Sequence, residues 1–240
     1  MILAIETATR ICSVALFDEN RVIGLLESAD ENTHSSILHV LIDQLLHEHG
    51  LSIGDITAVA VSKGPGSYTG LRIGVSAAKG FCYAKNIPLI AINTLESMAT
   101  GMKEKVTGQI PGNGIGSDQQ SERSLYVPMI DARRMEVYSA VFDPQLQMIR
   151  ETEAEIITAD SFAGLRKTHT LILAGDGADK CKDILKGENI KYLEGFNASA
   201  AYMLQPCIKA FKSQRFENVA YFEPFYLKDF IAGKPRVKGL

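Results

Sequence analysis

Apolar residues open the chain in three short runs, Ile2–Glu6, Cys12–Phe17 and Val22–Glu27, and Asp18, Glu19 and Asn20 make a polar turn between the last two. Runs of this length, rich in β-branched residues and bounded by turn formers, read as strands joined by tight turns. From His34 to His49 the apolar spacing becomes helical, with Asn32 or Thr33 as cap and Gly50 as stop. Thr57–Val61 returns to strand, Gly70–Lys85 is helical and ends before Asn86, and Ile87–Ile92 is a further strand. Thr94 then caps a helix through Thr100. The resulting order, β-β-β-α-β-α-β-α, joins a meander to crossover units.

Residues 103–123 are rich in Gly, Gln, Ser, Asn and Pro with few apolar anchors, and read as a flexible connector or exposed loop. The strand pattern resumes beyond it at Leu125–Asp131, Glu136–Phe142 and Gln147–Ile157, followed by a helix near Ser161–Lys167 and a strand at Thr170–Ala174. A closing helix is expected over Ser199–Phe216, with Met203, Leu204, Cys207, Ile208 and Phe211 on one stripe and a kink at Pro206. The second half echoes the first in order of elements without repeating its residues. The organisation expected is therefore α/β, with one lobe over residues 1–102, a connector over 103–123 and a second lobe over 124–240 whose last helix packs back on the first lobe.

The two helices of the first half carry more apolar surface than one sheet requires. Ile37, Leu38, Leu41, Ile42, Leu45 and Leu46 span about 180° of the first, with Val40 beyond them, whereas a helix lying on its own sheet needs only ~100°. In the second, residues from Gly70, Leu71, Ile73 and Gly74 through Ala77, Ala78 and Phe81 belong to an arc of roughly 200°. Gly70, Gly74, Ala77 and Ala78 are also small enough to let another backbone approach. Two accounts fit the surplus: the helices bury each other within the lobe, or they form an interface with another protein.

Between strand and second helix lies Lys63-Gly-Pro-Gly-Ser-Tyr-Thr-Gly70, where backbone amides can hold a phosphate. A Walker A loop requires Lys-Ser/Thr after its last glycine, and here Leu71-Arg72 follow Gly70. A dinucleotide fingerprint requires glycine where Thr69 stands. A tight turn with Ser67 or Thr69 capping the helix accounts for the loop, and Thr7, Gly64, Gly66 and Ser67 remain as a secondary nucleotide contact.

Composition narrows the rest. The chain has 240 residues, 46% of them hydrophobic, and a net charge of −3, so it lacks the basic field with which a protein grips RNA unaided. Cys12, Cys82, Cys181 and Cys207 stand far apart with no CxxC pair, which suits a reducing compartment. No apolar run approaches the ~18 residues of a membrane span, and the N-terminus lacks a basic n-region, so a cytoplasmic protein without a membrane role is expected. His34, His39, His47, His49 and His169 form no HxxxH or HExxH pattern, and there is no GxSxG elbow. No catalytic residue and no metal ligand set is assigned. Glu6, Asp18 and Asp131 sit at strand ends where an acid can order a metal–nucleotide complex, although such turn acids are common.

Several segments together resemble the TsaB (YeaZ) family of threonylcarbamoyladenosine biosynthesis proteins. They are Ile5-Glu-Thr-Ala-Thr9, His34-Ser-x-x-Leu38, Gly64-Pro-Gly-Ser-Tyr-Thr-Gly-Leu-Arg-Ile-Gly74, Asp131-Ala-Arg-Arg134 with Glu136-Val-Tyr138, Gly175-Asp-Gly-Ala178 and Pro224-x-Tyr-Leu-Lys228. The loop with its helix is the most specific of these, and residues 103–123 and the tail after Lys228 contribute nothing. The resemblance implies two actin-like lobes (ASKHA, ribonuclease H-like), each a mixed sheet with helices. It implies a non-catalytic scaffold or activator subunit that works with a catalytic sister, TsaD, and an ATPase, TsaE. That assembly transfers a threonylcarbamoyl group from its adenylate to the tRNA adenosine beside the anticodon. The resemblance further implies ATP or ADP and a metal ion held mainly by the partners, contact with tRNA through the complex, and a homodimer when the chain is alone. The sister adds acids after the first strand and an HxxxH metal pair; here Ala8-Thr9-Arg10 stand in the first place and no HxxxH occurs. Family precedent assigns the partner contact to the wide helices through His34, Ile37, Leu38, Leu41, Leu45, Gly70, Leu71, Ile73, Gly74, Ala77, Ala78 and Phe81. The competing expectation is an independent sugar-kinase-like phosphotransferase using ATP, with Asp131 as its general base.

Overall fold

The computed structural model describes residues 1–29, 34–108 and 123–228. Its first sheet contains β1 (Ile2–Glu6), β2 (Cys12–Asp18), β3 (Arg21–Ser28), β4 (Ala58–Gly64) and β5 (Leu89–Asn93), in the spatial order β3-β2-β1-β4-β5. Its second contains β6 (Ser124–Asp131), β7 (Glu136–Phe142), β8 (Met148–Ile156), β9 (Thr170–Ala174) and β10 (Ile190–Leu193), in the order β10-β9-β6-β7-β8. The two orders are the same wiring. Each central strand pairs antiparallel with the strand that follows it and parallel with the strand reached by a crossover. Two lobes of the actin-like, ribonuclease H-like kind result, each a mixed sheet with helices.

Helices α1 (His34–Glu48) and α2 (Tyr68–Lys85) cover the outer face of the first sheet. Leu38, Leu41, Ile42, Leu45 and Leu46 enter a core with Leu3, Ile5, Val14 and Leu16, because alternate residues of a strand share one face. α2 begins at Tyr68, two residues before the expected start, since the Ser67 hydroxyl accepts from Gly70 N–H and caps it. Its end at Asn86, in the left-handed conformation, is where the sequence pattern placed it.

The layer between the sheets departs from the expected division. α3 (Thr94–Thr107) runs five residues into the expected connector at 103–123, and its cap is Asn93, whose Oδ1 accepts from Leu95 and Glu96 N–H, rather than Thr94. It lies between the sheets and packs chiefly on the second, where Leu95, Met98, Ala99 and Met102 meet Tyr126, Ile130 and Phe142. The first lobe's sheet therefore ends at Asn93, and residues 109–122 of the expected connector lie outside the described residues, as do Asn32 and Thr33.

The expected closing helix is shorter and divided. A 3-10 turn at Ala200–Met203 precedes α6 (Leu204–Lys212), and Pro206 falls in the first turn of α6, where its missing N–H has no acceptor to lose. Pro206 therefore starts a helix rather than kinking one, and the chain turns away at Gln214 with a positive φ of 51°. Ala200, Met203, Cys207 and Ala210 pack on Ala4, Ala15, Ala58 and Ala60, the inner face of the first sheet. Small alanines on that face let α6 and the 3-10 turn lie close. Gly101 of α3 meets the ring of Tyr202 in the same layer. Two short helices, α4 (Ala163–Arg166) and α5 (Asp176–Asp179), complete the outer face of the second sheet. β10 was not expected from sequence: four residues between Gly187 and Gly195 carry too short a signal.

Candidate functional site

The surplus apolar arc of α1 and α2 divides between the two accounts open at the level of sequence. Leu38, Leu41, Leu45, Leu71 and Ala78 are buried in the lobe's own core and have no surface to offer another protein. Gly70 and Gly74 are buried as well. A Cβ on Gly70 would stand 2.0 Å from Thr7 O, and one on Gly74 would stand 2.2 Å from Thr7 Oγ1. The backbone that these glycines admit within the chain is the end of β1. Ile37, Ile73, Ala77 and Phe81 remain half-buried, and Val40, beside them on α1, is 58% exposed. The His39 ring meets the edge of Phe81, centroids 5.9 Å apart, so the two helices touch beside these partly covered side chains. His34, at the foot of α1, bonds through Nε2 to Thr9 O at 2.9 Å and is held against the first turn of the sheet.

A shallow groove of about 420 Å³ adjoins this row of side chains, lined by Tyr68, Thr69, Arg72, Ile73 and Ser76. The Arg72 guanidinium lies 5.4 Å from the Tyr68 ring centroid, and Tyr226, from the far end of the chain, stacks on Tyr68 at 4.7 Å. Only the Pro224-x-Tyr-Leu-Lys228 motif pointed to the latter residue in advance. A polar stretch with no helical period gives no reason to place it beside α2.

The glycine-rich loop is filled by the protein itself. Ser67 N–H donates to Ala8 O at 2.7 Å, Leu71 N–H donates to Ser67 O, and Gly70 N–H is taken by the Ser67 cap. A Cβ on Gly66 would meet Ala8 O at 2.4 Å, while Gly64, with φ +113°, lies against Phe225 O. Thr7 is wholly buried, and its hydroxyl donates to Gly70 O at 2.9 Å. Thr7, Gly64, Gly66 and Ser67 do come together, in a packed junction where the Thr7 amide donates to Ser62 Oγ and the Ser67 amide to Ala8 O.

Below this junction Glu6 ends β1 with no exposed surface. Its Oε1 accepts from Ala8 N–H at 2.6 Å and from the Ser62 hydroxyl at 3.0 Å, while Oε2 has no partner among the described residues. Burial pushes the carboxyl up to about 7, against the smaller opposite pull of those hydrogen bonds. Asp131, the corresponding acid at the end of β6, is exposed instead. It accepts from Lys180 Nζ and from Arg133 N–H at 2.7 Å, so it stitches its own turn. Lys180 also donates to Arg134 O and Glu136 O, which occupies the cation fully. Asp131 is thus engaged by Lys180 and by its own turn. Among the described residues there is no group of three His, Cys, Asp or Glu placed to hold a metal ion, and no helix is long and apolar enough to cross a membrane. The four cysteines are buried and their thiols are raised, Cys12 and Cys82 to about 11 and Cys207 to about 12, chiefly by burial.

With that geometry in hand, similarity to known proteins can be placed on it. The family described as "TsaD: tRNA N6-adenosine threonylcarbamoyltransferase" matches residues 24–222. The tRNA threonylcarbamoyladenosine biosynthesis protein TsaB of Escherichia coli K12 is 30% identical over 239 residues, covering 97% of this chain and 96% of its own. TsaB of Bacillus subtilis 168 is 28% identical over 233 residues, covering 95% and 93%. The fold superposes on YeaZ from Pseudomonas aeruginosa with a TM-score of 0.72 at 23% identity, covering 94% of this chain and 99% of that one. Near-complete coverage in both directions, together with the packed Gly64–Gly74 junction and the two-lobed wiring, places this chain in the TsaB (YeaZ) family, with residues 24–222 inside the wider TsaD sequence family.

Proposed function

We propose that the protein takes part in tRNA threonylcarbamoyladenosine biosynthesis as a non-catalytic subunit that docks a TsaD-type catalytic sister through α1 and α2. The observation that carries this reading is the row of Ile37, Ile73, Ala77 and Phe81, which pack on the lobe's core but stay partly exposed, beside Val40, which is 58% exposed. An apolar stripe crossing two adjacent helices is the surface of a helix-on-helix interface, in which the buried centre supplies most of the affinity. The names of the relatives supply the pathway, and the stripe supplies the manner of participation.

The engagement of the two strand-end acids, among the described residues, supports the non-catalytic part. Asp131 is committed to Lys180 and to its own turn, and Glu6 is sealed beneath the Ser67 junction. ATP or ADP and the metal ion of the reaction are accordingly assigned to the sister and to a TsaE-type ATPase. The tRNA is reached through the assembly, and α1 and α2 offer the same stripe to a second copy when the chain is alone.

The test is reconstitution with tRNA, threonylcarbamoyl-adenylate precursors and ATP. The expected result is no modified adenosine from this chain alone or from sister and ATPase without it, and full modification from the three together. Modification by sister and ATPase alone at the full rate would remove the proposed role. Steady ATP turnover by the lone chain, lost in Asp131→Asn, would replace it with a phosphotransferase.

A further inference from the structure

Beyond α6 the described chain contains no helix and a single bridge residue, yet its backbone is fixed to the first lobe point by point. Glu217 N–H donates to Leu89 O at 2.8 Å and closes the free edge of β5. The Lys79 ammonium on α2 donates to Ala220 O at 3.2 Å and to Phe222 O at 2.9 Å, while Val219 and Phe222 lean on the core beneath. Phe225 N–H donates to Lys63 O at 2.6 Å, and Phe225 O sits where a Cβ on Gly64 would come within 2.5 Å. An irregular segment holds a surface only if its polar backbone groups find acceptors and donors there, and these do.

The end of the segment is held differently. Tyr226 stacks on Tyr68, the first residue of α2, and Lys228 crosses to the second lobe, where its ammonium pairs with Glu136 at the start of β7 and lies 6.0 Å from the Tyr138 ring centroid. These are side-chain contacts at partly exposed positions, with 39% of the Lys228 side chain and 25% of the Glu136 side chain accessible. Exposed ion pairs and single aromatic pairs are weak, whereas a segment bonded through its backbone and packed on a core is released only by local unfolding.

We propose that residues 217–228 are a clamp between the lobes, and that its tip, Tyr226 to Lys228, is a latch. Latched, the second lobe bears through Lys228 on Phe225, through Phe225 on the Gly64 turn, and through the Ser67 cap on the first turn of α2. Unlatched, the loop and that first turn loosen while residues 217–222 stay docked. The clamp makes the N-terminus of α2 responsive to the position of the second lobe, and it operates in the isolated chain, independently of any partner.

Charge reversal tests it in the full-length protein. Hydrogen exchange is measured for Lys228→Glu, Glu136→Lys and the double exchange Lys228→Glu with Glu136→Lys. Each single reversal is expected to raise exchange at the Phe225 and Ser67 amides about threefold to fivefold, and the double exchange to return it to the wild-type rate. Spin labels on Gln44→Cys and Glu151→Cys, the native thiols being buried, are expected to show a broader distance distribution in the single variants and the original one in the double. Unchanged exchange at Ser67 in the single variants would overturn the latch. So would a rise shared equally by the amides of β1 and β4, which would mark general destabilisation, or failure of the double exchange to restore the rate.

Discussion

The two lobes share one wiring and differ at the same point in it. In each, the strand parallel to the central one runs into a glycine turn that packs on the central strand's end: Gly66 and Gly70 on Ala8 and Thr7, Gly175 and Gly177 on Met129 and Ile130. In the first lobe that turn launches the 18 residues of α2, whose Ile73, Ala77 and Phe81 pack on the core yet stay partly exposed. In the second it launches four residues, Asp176–Asp179, and stops. The acids at the ends of the central strands diverge in parallel, Glu6 being buried and Asp131 exposed and paired. One architecture thus carries the surface proposed for docking in one lobe and a plain structural turn in the other. In that proposal, docking rests on what is built onto the glycine turn, not on the turn itself.

The sharpest way to break the comparison is at the glycines. Gly70→Ala forces a Cβ to within 2.0 Å of a backbone oxygen, which cannot rotate away, so strand and helix must part. A loss on the order of 3–5 kcal/mol is expected in urea unfolding, as for severe overpacking. Gly177→Ala, inside the four-residue α5, meets backbone at 2.8–2.9 Å rather than 2.0 Å, so about 1–3 kcal/mol is expected there. Equal losses would show that the first junction is no tighter than the second.

The strand-end acids give the next largest effect. Glu6 has a folded pKa of about 7, above its ordinary 4.5, so the folded state binds the extra proton between those values. Stability therefore falls as pH rises from about 4.5 to 7 and stays reduced above it, by roughly 3 kcal/mol at most. Glu6→Gln keeps an acceptor for Ala8 N–H and Ser62 while removing the buried charge. It is expected to stabilise by about 2–3 kcal/mol at pH 8 and by almost nothing at pH 4. Asp131→Asn loses only a partly exposed ion pair, worth about 1 kcal/mol or less, and serves as the contrasting lobe. A flat response of Glu6→Gln between pH 4 and 8 would mean that the carboxyl is not desolvated.

A smaller change in folding, but a larger one in association, is expected from the stripe. Ile73→Asp and Phe81→Asp replace half-buried side chains on α2 and should leave the melting temperature within a few degrees. Affinity for the sister subunit, measured by titration, is expected to fall at least about tenfold for each. Undiminished binding would transfer the docking role away from α2.

How far all this could be read in advance depended on how local each signal is. The apolar run of β1, the leucine stripe of α1 and the Asn86 stop of α2 are local, and the structure follows them. The excess apolar arc was legible too, but not its division. Whether Leu71 is buried and Ile73 left partly exposed depends on where the sheet lies beneath the helix. The same holds for Gly70 and Gly74: small residues announce a close approach without naming what approaches, and Thr7 stands more than sixty positions away in the chain. The placement of α3 on the second sheet was hidden for a related reason, since an amphipathic helix between two sheets fits either. The clamp after α6 was the least visible element, because backbone hydrogen bonds from irregular chain leave no periodicity to detect.

The mildest prediction concerns Gly80, which lies on the exposed side of α2 one residue before Phe81. Unlike Gly70 and Gly74, a Cβ there meets nothing within 4 Å, so no close approach within the chain requires glycine. A glycine inside a helix costs about 0.5–1 kcal/mol relative to alanine, because its unfolded chain has more freedom to lose. Gly80→Ala is therefore expected to stabilise the isolated protein by about that amount, roughly 2–4 °C in melting temperature. The same variant reports on docking. If the partner's backbone passes over this side of α2, the added methyl group obstructs it, and affinity falls even as stability rises. If the contact is confined to the Ile73, Ala77 and Phe81 side, affinity is unchanged and the gain in stability stands alone. A loss of stability would show that the isolated chain already uses that open face, and that the face of α2 left uncovered is narrower than the stripe described here.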